Sequence, residues 1–150
     1  MSVKTLRLRA HLPFDDHTIE FSEVISLSGI TALFGPSGSG KSTLLRIFAG
    51  FESGGNLRLT YNDEIWTDTN AGILMPPHKR PVGMVFQDDR LFSHLDVASN
   101  LAFADKRSRK VDNPITMDQV VKSLDLSALL NKFPATLSGG EKQRVALGRT

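Results

Sequence analysis

The sequence predicts an α/β fold in which a strand–loop–helix core carries an antiparallel β edge and a helical subdomain. Residues 30–34 form a short apolar run, as in a parallel strand covered on both faces, and a glycine-rich loop follows them. Residues 6–9 and 57–61 alternate apolar and polar side chains, which indicates half-buried antiparallel strands. Between residues 90 and 134 the pattern turns helical. Together these patterns define the fold class.

A predicted helix follows the glycine-rich loop. Leu44, Leu45, Ile47 and Phe48 recur at helical spacing, and Gly50 is a suitable stop. The loop is therefore expected to lie between a buried strand and a helix.

Shorter signals complete the β part of the chain. Residues 17–21 are expected to form another strand, and residues 51–56 a turn, because they contain Ser-Gly-Gly. Residues 68–81 are predicted as a loop that a Met-Pro-Pro sequence interrupts. A second buried strand is expected at residues 82–86.

Two capping signals divide the helical part. Asp96 is expected to cap one helix, and Thr116 with Gln119 forms a capping-box pattern at the start of another. Between them, residues 106–110 are a basic run that suits either a solvated loop or an anionic partner. Without interleaved aromatic residues, the solvated loop is favoured.

Composition restricts the class of protein. A chain of 150 residues with 40% hydrophobic content can bury one core. The net charge of +2 offers no electrostatic argument for a polyanionic partner, so no nucleic acid is expected. The chain has no cysteine, which fits a reducing compartment, and no apolar run approaches 18 residues. We therefore expect a soluble, cytoplasmic protein whose membrane role, if it has one, comes through a partner.

The glycine-rich loop carries the main chemical signal. Residues 35–42 fit the pattern G-x-x-x-x-G-K-[ST], whose backbone N–H groups wrap a polyphosphate because glycines let the backbone approach it. Lys41 can reach the β- and γ-phosphates, Ser42 can hold Mg²⁺, and Thr43 can contact the α-phosphate. A flexible linker is the alternative, and the flanking strand and helix argue against it. The predicted nucleotide-binding residues are Gly35, Pro36, Ser37, Gly38, Ser39, Gly40, Lys41, Ser42 and Thr43.

Two further stretches carry polar groups suited to a nucleotide site. Gln87 directly follows a predicted strand, where its amide can reach a metal or a water, or simply face solvent. Ser138 and Glu141 make a capping box at the start of a helix. That box does not explain Gly139 and Gly140, which cost stability in a first helical turn unless a group must approach the backbone. A second anion site is therefore predicted there.

These stretches, in this order, resemble the motifs of ABC-type ATPases. Residues 35–43 look like the Walker A motif, Gln87 like the Q-loop, and residues 137–144 like the signature motif. The resemblance implies a homodimer in which each ATP lies between one subunit's Walker A motif and its partner's signature motif.

The resemblance also assigns roles to individual residues. It implies that Lys41, Ser42, Thr43 and Gln87 serve ATP and Mg²⁺ in cis, with Ser42 and Gln87 at the metal. Ser138, Gly139 and Gly140 would contact the γ-phosphate in trans. The residues expected to take part in catalysis are Lys41, Gln87 and Ser138.

The domain organisation follows from the same resemblance. The whole chain is interpreted as a partial ABC-type ATP-binding domain, with a P-loop core and β subdomain over residues 1–89. A helical subdomain would cover residues 90–137, and the signature helix would start at residues 138–150. The family implies integral membrane permease subunits that dock beside the Q-loop, and a peripheral location at the cytoplasmic face of the inner membrane.

Within the family, residues 80–87 resemble bacterial importer ATPases. Residues 89–95, Asn100 with Leu101, and residues 29–35 are similar to the molybdate importer branch. Importers of sulfate, iron, polyamines or sugars share most of the pattern. A soluble ABC ATPase of DNA repair or translation and a truncated, non-catalytic nucleotide-binding module are the other functional classes.

The sequence departs from the family pattern in two ways. Where the family stacks adenine on an aromatic residue, this chain has Leu12, with His11 or Phe14 as substitutes. The Walker B strand with its Asp, the following Glu and the switch His do not occur, and the predicted signature helix is still running at Thr150. We therefore expect an incomplete piece of a longer ATPase, truncated before the Walker B strand and inactive alone.

Overall fold

The computed structural model describes residues 4–13, 18–107 and 115–150, and it divides the chain into two compact units, Met1–Val82 and Gly83–Thr150. The predicted domain boundary at residue 89 stays a prediction. Residues 108–110 of the basic run and Phe14 lie outside the described residues. None of the helices in the described parts has the length and apolar character needed to cross a membrane.

The first unit is built on a five-stranded antiparallel sheet. The strands are β1 (Thr5–Pro13), β2 (Thr18–Ser26), β3 (Asn56–Tyr61), β4 (Glu64–Asp68) and β5 (Ile73–Leu74), in the order β2-β1-β3-β4-β5. This confirms the alternating strands predicted at residues 6–9 and 57–61, and the strand predicted at residues 17–21 as far as residues 18–21, since His17 lies outside the described residues. The sequence interpretation did not include β4 and β5, and β5 falls in a stretch predicted as loop.

One face of this sheet forms the core of the first unit. Leu6, Leu8, Ala10 and Leu12 of β1 alternate with exposed residues, so the period-two pattern places all four on the inner face. Helix α1 (Lys41–Ala49) packs Leu44 and Ile47 into the same core. It ends at Gly50, whose φ of 82° closes the helix in the left-handed conformation that favours glycine, as predicted.

The second unit is helical. It contains α2 (Val97–Asp105), α3 (Met117–Ser123) and α4 (Gly139–Gly148), with short 3₁₀ turns at Ser127–Leu129 and Pro134–Thr136. Asp96 accepts a hydrogen bond from the Ser99 N–H at 2.8 Å, and Thr116 and Gln119 form a complete capping box. Both predicted caps are confirmed. Helix α4 is assigned as far as Gly148, and the N–H groups of Arg149 and Thr150 still donate to the carbonyls of Val145 and Leu147.

Two predicted strands are not observed. Residues 30–34 and 82–86 are not strands, and most of their apolar side chains are exposed, with Ile30 at 100% and Phe34 at 88%, while Met84 and Phe86 are half-buried. A strand exists only where its backbone pairs with a neighbour, and neither segment has such a neighbour among the described residues. The prediction that they are buried parallel strands is therefore wrong for this structure, while the α/β class with an antiparallel sheet and a helical part is confirmed.

Candidate functional site

The glycine-rich loop enters α1 through two left-handed glycines. Gly38 and Gly40 have φ values of 82° and 83°, a conformation that costs a residue with a side chain of the order of 1–3 kcal/mol. Gly40 is also the N-cap of α1, and it has no side chain that could cap the helix. The first-turn N–H groups of α1 are therefore left for an external acceptor, which is the arrangement that binds anions.

The Lys41 side chain is hydrogen-bonded to other residues of its own loop. Its ammonium group donates to the carbonyls of Gly35, at 2.9 Å, and Pro36, and lies 3.3 Å from the Ser39 hydroxyl. These partners are neutral oxygen atoms, so an incoming phosphate would offer a stronger, charge-assisted contact. In this structure the lysine shapes the loop and is positioned to exchange its partners for a phosphate.

The loop residues divide between two neighbouring cavities. Ser37, Gly38, Gly40, Lys41, Ser42 and Thr43 line one of about 440 Å³ together with Ile19. Gly35, Pro36 and Ser39 line a more apolar one of about 280 Å³, which also contacts Lys41 and residues of the β1 and β2 inner face. The structure therefore brings all nine predicted loop residues to the same end of the first unit.

Ile19 also belongs to this site, although it was not predicted from the sequence. A Cβ added at Gly40 would overlap the Ile19 side chain, so strand β2 lies directly against the loop. The period-two pattern of β2 puts Ile19 on the inner face of the sheet and was readable in the sequence. Nothing in the sequence indicated that the loop, about twenty residues later, would pack on that position.

We predict that Gly40→Ala weakens nucleotide binding at least about tenfold, because the left-handed conformation strains an alanine and the new methyl group must displace the end of the Ile19 side chain. The matched variant is Gly38→Ala, which has the same strain but no atom within 4 Å of the added Cβ. Titration with a fluorescent ATP analogue measures both. Equal losses of affinity in the two variants would show that packing on Ile19 has no part in the effect.

Leu12, at the position expected for adenine stacking, and its possible substitute His11 both lie where they offer no surface for a base beside the loop. Leu12 is 5% exposed and belongs to the core of the first unit, so its side chain is not a free surface for a base. His11 lies on the opposite face of β1, where its Nδ1 is 3.2 Å from Glu20 Oε1, away from the face that carries Ile19. Neither the buried Leu12 side chain nor His11 on the opposite face can stack on an adenine beside the loop.

Gln87 lies in the second unit and its side chain is exposed. It follows residues 82–86, which do not form a strand, so within this structure Gln87 is not at the end of a parallel strand. The loop cavity belongs to the first unit. The role of Gln87 stays a prediction that depends on the family resemblance.

The signature stretch forms a well-made helix start. The Ser138 hydroxyl accepts from the Glu141 N–H at 3.4 Å, and the Ser138 N–H donates to Glu141 Oε2 at 2.7 Å, which lowers the pKa of the Glu141 carboxyl. A Cβ at Gly139 or Gly140 would meet no atom within 4 Å, so packing inside the described chain does not require these glycines. Their exposed backbone is open to an approaching group, as the prediction demands.

The loop cavity suits a nucleotide phosphate better than a protein-held metal. Its polar groups are the Lys41 ammonium, the Ser37, Ser42 and Thr43 hydroxyls, and backbone N–H groups, a set rich in donors. The described residues contain no group of three or more His, Asp or Glu side chains that could hold a metal ion. A Mg²⁺ ion here would take most of its oxygen ligands from phosphates and water, as Mg²⁺ usually does.

Comparison with known proteins agrees with this geometry. The ABC transporter family model matches residues 20–150, and the chain belongs to that family. Among curated relatives, molybdenum import ATP-binding protein ModC of Pseudomonas savastanoi pv. phaseolicola is 44% identical over 144 residues, which cover 96% of this chain and 40% of the relative. The ModC protein of Saccharophagus degradans is 47% identical over 135 residues, which cover 90% of this chain and 37% of the relative.

Solved structures show the same fold. CbiO1 of Clostridium perfringens, described as part of the ABC transporter complex cbiONQ, superimposes with a TM-score of 0.73 at 24% identity, covering 99% of this chain and 61% of that one. A bacterial Atm1-family ABC exporter with ATP bound gives a TM-score of 0.72 at 25% identity, covering 98% of this chain and 27% of that one. The chain spans about 40% of the length of the curated relatives it matches.

Proposed function

We propose that this protein is the ATP-binding and ATP-hydrolysing subunit of a bacterial importer, and that molybdate is the transported solute. The observation that carries the proposal is the open, donor-rich loop cavity in which Lys41 is held by neutral oxygen atoms. Relatives named as molybdenum import ATP-binding proteins support molybdate as the solute.

The test is uptake of molybdate or sulfate into vesicles that contain the native complex and receive ATP. Uptake of sulfate alone would favour another importer, and nucleotide binding without hydrolysis would favour a non-catalytic module.

In this proposal the loop holds the nucleotide in cis. Lys41 and the N–H groups at the start of α1 bind the β- and γ-phosphates, and Thr43 contacts the α-phosphate. By the family resemblance, Ser42 and the Gln87 amide would hold Mg²⁺, which would neutralise charge that develops on the phosphates. Among the described residues that line the loop cavity there is no carboxylate to orient a water. We therefore infer that a polypeptide restricted to these 150 residues binds ATP but hydrolyses it poorly, and Lys41-dependent turnover by that polypeptide would contradict this.

The second half of the site comes from a second copy of the subunit. Ser138, Gly139 and Gly140 start a ten-residue helix with exposed backbone, and an ATP γ-phosphate held by a partner's loop fits that start. Closure of such a homodimer around ATP would drive integral permease subunits, which locates the protein at the cytoplasmic face of the inner membrane.

Ser138→Arg tests the dimer. We expect it to lower ATP hydrolysis by the native protein at least about 100-fold, because it replaces a phosphate contact with a bulky side chain, and to leave nucleotide binding by the separated subunit nearly unchanged. The change also removes a helix cap, so Thr116→Arg, which breaks the equivalent capping box at α3, is the matched control. Hydrolysis that survives in Ser138→Arg at the level of Thr116→Arg would overturn the trans contact.

A further inference from the structure

The end of the signature helix is tied to the segment that follows Gln87. Arg149, the C-cap of α4, donates from Nη2 to the Arg90 carbonyl at 2.6 Å and from Nη1 to Asn100 Oδ1 at 3.4 Å. The centre of its guanidinium group lies 4.8 Å from the centre of the Phe92 ring. The Arg149 side chain therefore contacts Arg90 and Phe92 in the segment after Gln87, and Asn100 in helix α2, all within the second unit.

Asn100 fixes the same stretch from the other side. It is fully buried, and its Nδ2 group lies 3.1, 3.0 and 2.9 Å from the carbonyls of Phe92, Leu95 and Asp96. Its Oδ1 accepts from the Phe92 N–H at 2.9 Å as well as from Arg149. Arg149 and Asn100 thus form one hydrogen-bonded network that holds residues 90–96 on the helices.

The backbone at Arg90 needs such support. Its φ of 47° lies in the left-handed region, which a residue with a long side chain adopts only when its surroundings impose it. The Arg90 guanidinium lies 4.0 Å from the centre of the Phe86 ring. Gln87 therefore lies between two residues whose positions are fixed by contacts. Phe86, before it, contacts the Arg90 side chain, and Arg90, after it, is hydrogen-bonded through its carbonyl to Arg149.

We propose that Arg149 is a positioning residue for Gln87: it connects the signature helix to the Q-loop segment and holds Arg90 in its left-handed conformation, so that the Gln87 amide is presented in one place. The inference rests on the proposed function of Gln87 at the nucleotide. Since Ser138 and Arg149 lie at opposite ends of the same helix, a change at the signature end has a rigid connection to residues 87–95.

The test is Arg149→Lys in the native protein. Lysine keeps the charge but cannot reach two acceptors with a planar fork or stack its head on Phe92. We expect faster amide hydrogen exchange over residues 87–95, a fall in kcat for ATP of about tenfold, and KM for ATP within about twofold of the unchanged protein. The matched control is Arg107→Lys, because Arg107 also stacks on a ring, that of Phe103, and donates to a carbonyl, but at an exposed position.

Each outcome decides the proposal. Unchanged exchange over residues 87–95 in Arg149→Lys would overturn it, as would an equal change in Arg107→Lys. If Arg149→Lys does not fold, Phe92→Leu removes the stacked ring and leaves both hydrogen bonds, and it should show the same pattern more weakly. Absence of ATP turnover in the unchanged protein would overturn the proposed function instead, and exchange would then decide alone whether Arg149 holds the segment.

Discussion

Replacing Lys41 with alanine is expected to lower ATP hydrolysis by the native protein at least about 100-fold, because preorganised donors aimed at developing charge supply most of the catalysis in phosphoryl transfer. The structure adds a second reason. The Lys41 ammonium contacts the carbonyls of Gly35 and Pro36, so its removal also frees the loop from its own internal support. ATP affinity should fall as well, which a fluorescent analogue would measure beside a phosphate-release assay.

The control is Lys122→Ala, which removes an exposed lysine from the last turn of α3 in the other unit. It should leave hydrolysis unchanged, because no role in the site is assigned to it. Equal activity of the Lys41 and Lys122 variants would refute the assignment of the loop as the nucleotide site.

Lys41→Arg is a useful third variant. A wide planar guanidinium does not fit the narrow place that an ammonium fills between two carbonyls, so we expect it to resemble alanine.

Features that depend on neighbouring residues could be predicted from the sequence. The caps Asp96, Thr116 and Ser138, and the helix stop at Gly50, occur where their side chains or their lack of one suggested. A capping box or a left-handed glycine acts within about four residues, so the information for it is contained in a short window.

Features that depend on distant partners could not be predicted. Residues 30–34 have the composition of a buried strand, but the composition says nothing about whether a neighbouring strand exists to pair with them. The contact between Ile19 and Gly40, and the hold of Arg149 on Arg90, join residues about twenty and sixty positions apart. No periodicity in a single sequence encodes such contacts, and they are the ones that shape the site.

Arg80 is another such case, and it leads to the largest stability effect we expect. Its side chain is 5% exposed and donates to the carbonyls of Met75, Ile47 and Phe48, and to the Thr67 hydroxyl at 2.8 Å. Ile47 and Phe48 lie in the last turn of α1, where carbonyls lack the usual helical partner, and the Ile47 carbonyl also accepts from the Gly50 N–H at 3.1 Å. Arg80 therefore fastens the end of the phosphate-loop helix to strand β4. A Cβ at Gly50 would lie 2.8 Å from Arg80 Nε, so this glycine also makes room for the guanidinium.

We expect Arg80→Met to lower the free energy of unfolding by about 3–5 kcal/mol, because it removes a buried charged donor that bonds three carbonyls and a hydroxyl while nearly preserving volume. Burial lowers the pKa of the Arg80 guanidinium, but an arginine stays protonated at neutral pH, so the charged donor is the species that is lost. Urea unfolding followed by the fluorescence of Trp66, the one tryptophan of the sequence, measures the effect, since its ring centre is 5.6 Å from the guanidinium.

Arg46→Met separates this effect from the loss of any arginine. Arg46 lies on α1 itself, about half exposed, and its pair with Glu52 spans 3.9 Å at the surface, a contact that contributes about 1 kcal/mol or less. If the two variants unfold at the same urea concentration, Arg80 does not anchor the helix end. If only Arg80→Met is destabilised, nucleotide affinity should fall with it even below the unfolding transition, because the helix whose start carries Lys41 and Ser42 would no longer be fixed at its other end.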